Sequence, residues 1–182
     1  LWEGTRPLLV EIQALVDYSA LGNPRRVAVG AEQNRLAMLL AILHRHGGIQ
    51  MNDQDVFVNV VGGVKVAETS IDLALLLALV SSFRNHPLPQ DLVIFGEVGL
   101  SGEIRPVPSG QERIKEASKH GFKRAIVPFN NVPKESIPGM EIIGVKKLTE
   151  ALDAIYAIGE KYGFNVPCFG HAGDGNIHVN VM

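Results

Sequence analysis

A single cysteine, Cys168, rules out an intrachain disulfide and fits a reducing compartment. No apolar run reaches the ~18 residues that a membrane span needs. The longest, Ile71 to Val80, is interrupted by Asp72. Neither sign of charge dominates: 17 basic and 19 acidic residues leave a formal charge of −2. A generally basic nucleic-acid glove is therefore excluded, while a local patch is not. With 46% hydrophobic and 20% charged residues, the chain lacks the signature of default disorder. It contains no G-x-x-x-x-G-K-[ST] loop to cradle phosphates and no cysteine pair for a zinc finger, so no cofactor is expected in it. Leu1 stands where an initiator methionine would, with no signal peptide after it, and the chain reads as cut from something larger.

What is present, over 182 residues, is enough for one domain with its own core, perhaps carrying an appendage. Leu8 to Val16 alternates polar Glu11 and Gln13 with apolar neighbours, as a strand with one solvated face does. Short strands are predicted over Arg25–Gly30, Asp55–Val61, Asp91–Phe95, Arg124–Pro128 and Glu141–Val145, with strand, turn and strand over Gly96–Arg105. Helical spacing marks Glu32–His46 and Gln111–His120. A helix from Thr69 or Ser70 to Phe83, with either residue as its cap, is apolar on nearly all sides and so is buried. A last helix is predicted over Thr149–Tyr162 with Thr149 as its cap. Strands alternating with helices mean α/β.

The tail differs in charge. Residues 149–182 carry one base and four acids, whereas 1–148 hold 16 bases and 15 acids. The tail ends in the alternating pattern Ile177-His178-Val179-Asn180-Val181, a strand without an evident partner.

Three blocks in order carry a resemblance: Glu3 to Val16, Pro24 to Gly30 with Asn34-Arg35-Leu36-Ala37, and Gly96 to Val107. Over roughly residues 1–152 the chain resembles the C-terminal domain of the RadA (Sms) family of bacterial DNA-repair proteins. The resemblance implies a Lon-protease-like domain, α/β (α+β), with a mixed sheet and flanking helices. In whole family members it stands behind a zinc finger and a RecA-like ATPase domain, in a cytoplasmic hexameric ring that drives branch migration on DNA. A second, local resemblance lies in Cys168 to Asn180, which is similar to the signature of FAD-linked oxidases of the glycolate oxidase and D-lactate dehydrogenase kind. Residues 153–182 are therefore expected to be an appended segment, and the whole a chimera.

Lon-type proteases pair a serine with a lysine of lowered pKa, which takes the hydroxyl proton. Alignment of Glu68-Thr69-Ser70-Ile71-Asp72-Leu73 with the family motif places Ser70 at the nucleophile position and Gln111 at the lysine position. Glutamine has no basic nitrogen. Lys115, one helical turn on, would serve only if the helix shifted. The plainer reading of Ser70 is a helix-start residue bonding a first-turn N–H.

For DNA phosphates the best pairs are Arg25-Arg26 and Lys123-Arg124, which have no acid beside them in the sequence; scattered bases including Arg35, Arg105 and Arg113 are weaker candidates. His171 and His178 are the metal-like pair, and the second resemblance places them at a substrate site; two histidines fall short of the three protein ligands a catalytic metal takes. Cys168 reads as buried filler. Three functions compete: a non-catalytic scaffold that assembles copies of itself and contacts DNA, a residual Ser-Lys peptidase, and a fragment of an FAD-linked oxidoreductase.

Overall fold

The computed structural model describes residues 2–3, 6–161 and 177–181. A seven-stranded mixed sheet organises them, in the order β10-β9-β6-β11-β3-β5-β4. Its strands are β3 (Val10–Tyr18), β4 (Arg26–Val29), β5 (Gln54–Val60), β6 (Leu92–Ile94), β9 (Arg124–Pro128), β10 (Glu141–Val145) and β11 (Ile177–Val181). β3 runs antiparallel to both its neighbours; every other adjacent pair is parallel. Two small ribbons lie outside it: β1 (Trp2–Glu3) with β2 (Arg6–Pro7), and β7 (Glu97–Val98) with β8 (Ile104–Arg105).

The expected α/β class and mixed sheet are present. Most predicted strands and helices fall within a residue or two of their place, and the alternation expected for the first strand is seen along β3. α1 (Gln33–Gly47) is capped by Glu32, whose carboxylate accepts from the Asn34 and Arg35 N–H groups, and it ends in basic residues that suit the helix C-terminus. α2 (Asp72–Phe83) has no polar face: every residue from Leu73 to Val80 is at most 1% exposed. It packs on β3 and β11 and touches α1 and α4 (Leu148–Lys161). α3 (Gly110–Lys119) completes the helices.

Two expectations about caps fail. Neither Thr69 nor Ser70 caps α2; both lie in a 3-10 turn, Thr69–Ile71, that leads into it. The Thr69 hydroxyl donates to Glu97 and that of Ser70 to Glu68, and no side chain caps either the turn or α2. Thr149 lies inside α4, one residue past its start.

The described part of the tail is built into the body. α4 runs without a break through residue 153, burying Ile155 and Ile158 beyond it. β11 then pairs antiparallel with β3 and parallel with β6, and Val181 is fully buried. The sheet centre is therefore the place of the strand whose partner the sequence did not reveal.

Gly30 shows why one backbone position tolerates no side chain. At φ +79°, an added Cβ would lie 2.6 Å from the Val64 carbonyl oxygen and 2.7 Å from Val60 Cβ. The same approach lets the Val66 N–H donate to the Gly30 carbonyl at 2.8 Å, which holds the segment before Ser70 against the end of β4.

Candidate nucleophile position and basic surfaces

Ser70 is 3% exposed. Its hydroxyl donates to Glu68 Oε2 at 3.0 Å. The same carboxylate oxygen accepts from Arg113 Nη2 at 3.2 Å. Arg113 is itself 1% exposed, donates through Nε to the Pro108 carbonyl at 3.1 Å, and lies 6.0 Å from the Phe95 ring centre. The Ser70 carbonyl accepts from the Gly96 N–H at 2.8 Å, which fixes the turn from behind. The hydroxyl is thus engaged by a carboxylate, and the cation behind that carboxylate is a guanidinium, which cannot accept a proton.

Gln111 and Lys115 line a different, open pocket of about 400 Å³, together with residues 133–138. Helical geometry explains the separation. Positions 111 and 115 share one face of α3, while 113 projects about 200° away, on the opposite side. Turning α3 to bring Lys115 to the nucleophile position would turn Arg113 out of its buried place. Arg113 had been grouped with the DNA-contacting bases, and its burial corrects that. The available signal was its spacing from Ala117, which puts both on the helix face that packs inward.

A second buried charge lies nearby. Asp72, at the first position of α2, receives a two-pronged contact from Arg35 of α1, through Nε at 3.0 Å and through Nη2, and accepts from the Val98 N–H at 3.1 Å. Burial pushes the Asp72 carboxyl above its ordinary value, against the pull of Arg35 and the Val98 N–H. The hydrogen bond to Asp72 raises the Arg35 guanidinium in turn. Arg35 is therefore a tie between α1, α2 and β7.

The two best basic pairs stand at the same end of the sheet, because β4 and β9 point the same way. Four strands separate them, or about 24 Å at ~4.8 Å per strand spacing. The absence of neighbouring acids does not survive folding. Arg25 pairs with Asp55 at 2.8 Å, and that contact holds the Asp55 carboxyl below its ordinary value. Arg124 pairs with Asp91. Arg26 donates to the carbonyls of Arg25, Gln54 and Met51, so it fastens β4 to the loop before β5. Sequence adjacency missed these acids because they enter from neighbouring strands. Arg25, with 65% of its side chain exposed, and the exposed Lys123 are the members of the four that face solvent most.

His178 lies in β11 in register with Gln13. His171 and Cys168 lie outside the described residues, so the pairing of the two histidines and the burial of the cysteine do too. Among the described residues no group of three or more His, Cys, Asp or Glu side chains is placed to hold a metal, and no helix is long and apolar enough to cross a membrane.

Comparison with known proteins gives two family matches. Residues 13–131 match the family described as subunit ChlI of Mg-chelatase. Residues 142–182 match the C-terminal domain of FAD linked oxidases, a small match that begins upstream of the expected junction at 152. Curated relatives called DNA repair protein RadA align over most of the chain. That of Haemophilus influenzae is 82% identical over 152 residues, 84% of this chain and 33% of its own length. That of Escherichia coli is 80% identical over 151 residues, 83% of this chain and 33% of its own length. That of Bacillus subtilis is 49% identical over 152 residues, 82% of this chain and 33% of its own length. The chain spans about a third of the length of these relatives. Through residues 13–131 the chain belongs to the family described as subunit ChlI of Mg-chelatase, and it is similar at high identity to a third of DNA repair protein RadA.

Proposed function

We propose that this chain is a non-catalytic scaffold, oligomerisation and DNA-contacting domain of a RadA-type DNA repair and recombination ATPase that drives branch migration. On this reading it works in the cytoplasm, in a ring of identical copies, with its ATPase domain upstream of residue 1. Residues 153–182 are an appended segment, which the oxidase match and the 151–152 residues shared with RadA relatives support. The observation that carries the non-catalytic part is the Ser70 hydroxyl, directed to Glu68 rather than to an amine. The DNA part draws on the RadA relatives and on Arg25 and Lys123 at one end of the sheet.

Two measurements test it. A fluorophosphonate probe leaves Ser70 unmodified; stoichiometric labelling there overturns the non-catalytic reading in favour of a residual peptidase. Duplex DNA binds in a salt-dependent way, and the double change Arg25→Ala with Lys123→Ala weakens that binding. No binding at low salt leaves an assembly platform without DNA contact.

A second reading, a fragment of an FAD-linked oxidoreductase, is favoured by the match over residues 142–182. The part of that segment described here is α4 and a strand inside the sheet. Flavin absorbance in the purified protein is its test.

A further inference from the structure

β4 closes one end of the seven-stranded sheet, and among the described residues no strand lies beyond it. Its outer edge is nevertheless occupied. The Arg25 carbonyl accepts from the Val56 N–H of β5, so the backbone groups of the alternate residues Arg26 and Ala28 point away from β5. Two of those groups meet one side chain. The Ala28 N–H donates to Gln33 Oε1 at 3.0 Å, and Gln33 Nε2 donates to the Arg26 carbonyl at 2.6 Å. A carboxamide carries the same donor and acceptor as a peptide group. In a parallel ladder one residue of the neighbouring strand takes this same pair, the carbonyl before and the N–H after the residue it faces. Gln33 therefore stands where a residue of a further strand, facing Val27, would stand.

The helix does not need this contact. Gln33 is the first residue of α1 and is exposed, and Glu32 already caps the helix. Holding a long exposed side chain in one place costs rotamer freedom. The edge itself explains the arrangement. Val27 and Val29 are 38% and 54% exposed and lie in register with Phe57 and Asn59 of β5. Leu15 of β3, opposite Phe57, extends the apolar row. From Val27 to Ala31 the edge carries no charge. An exposed, uncharged, β-branched edge is a template for pairing with another chain.

We infer that Gln33 is an edge guard, whose carboxamide keeps β4 from pairing with the β4 strand of a second copy of this chain. Two copies joined by this edge are related by a two-fold axis, so their strands run antiparallel and meet at Ala28. That register sets Arg26 against Gly30 of the other copy. It also brings the Arg25–Arg26 end of each strand beside the Ala31–Glu32 end of the other, so opposite charges adjoin at both ends. The Ala28 N–H is needed at the centre of the pairing, and Gln33 holds it. Such a contact is isologous and stops at two copies, whereas a ring is closed by heterologous contacts. The guard therefore acts against a pairing outside the ring proposed above and does not depend on it.

The test is sedimentation of the whole chain over a wide range of concentration, with hydrogen exchange at the Ala28 amide read alongside. Gln33→Ala, and Gln33→Met, which keeps the stem without the amide, each form a species of twice the wild-type mass. Their association is at least about tenfold tighter than any shown by the wild type. At low concentration the Ala28 amide exchanges faster in both variants than in the wild type, and it regains protection as the concentration rises. Adding Val29→Lys to Gln33→Ala returns the wild-type profile, because a lysine on the edge opposes pairing. The inference is overturned if both variants sediment as the wild type does at every concentration. It is overturned equally if Gln33→Ala associates undiminished with Val29→Lys in place, since the pairing then runs through another surface. An Ala28 amide that exchanges alike in all of these chains at low concentration also sinks it, because the carboxamide then guards nothing.

Discussion

Arg113 and Ser70 meet at one atom: both donate to Glu68 Oε2, the guanidinium at 3.2 Å and the hydroxyl at 3.0 Å. A permanent cation therefore stands one carboxylate away from the hydroxyl that a Lon-type enzyme would activate.

Replacing Arg113 with Ala removes a side chain that is 1% exposed and leaves a cavity beside Phe95. The expected loss is about 3 kcal/mol, read from the urea unfolding midpoint, most of it from lost packing. Glu68 keeps a third of its side chain in water, so the ion pair supplies the smaller share. A change below about 0.5 kcal/mol, the level of an ordinary surface site, would mean that Arg113 is not buried as described.

Arg35→Met keeps the aliphatic stem and removes the charge, leaving the Asp72 carboxyl buried without its cation. The expected cost is about 3–5 kcal/mol at neutral pH. Its pH dependence has a definite sign. Burial holds the folded-state pKa of Asp72 above the unfolded one, so its stabilising share is complete below the unfolded value and fades as pH rises through the folded value. Without Arg35 the folded value climbs further, and the variant's deficit shrinks on acidification. Unfolding midpoints between neutral and mildly acid pH check this; a deficit that grows toward acid would contradict it.

Leu76→Ala lies in the middle of α2, where exposure is zero, and should cost about 2–5 kcal/mol. Leu100→Ala, at a position 71% exposed, should stay within about 0.5 kcal/mol. Thermal unfolding of the two variants side by side measures the contrast.

Ending the chain after Lys161 removes β11 and leaves β3 paired only with β5 and β6 only with β9, each with an open edge in the middle of the sheet. Hydrogen exchange read by mass spectrometry should show lost protection in both strands. Unchanged protection would mean that they pair without β11.

Much of this fold is visible in the residues themselves. The apolar run of α2 announces burial, and the alternation of β3 announces a sheet with one wet face, because both depend on local spacing alone. What depends on distant partners was hidden. Asp55 and Asp91 reach Arg25 and Arg124 from 30 and 33 residues away, so bases that look unopposed in the sequence are opposed in the sheet. Ser70 has the composition of a cap, yet it sits in the 3-10 turn before α2, where its hydroxyl donates to Glu68 and accepts no first-turn N–H.

β11 belongs to the same sheet as β3, which precedes it by more than 150 residues. During synthesis the central gap cannot be filled until residue 181 has been made, so β3 and β6 each wait with one open hydrogen-bonding edge. The nascent chain is therefore most exposed to wrong pairing at β3 and β6 throughout its translation, and its yield should depend on chaperones that shield those two strands.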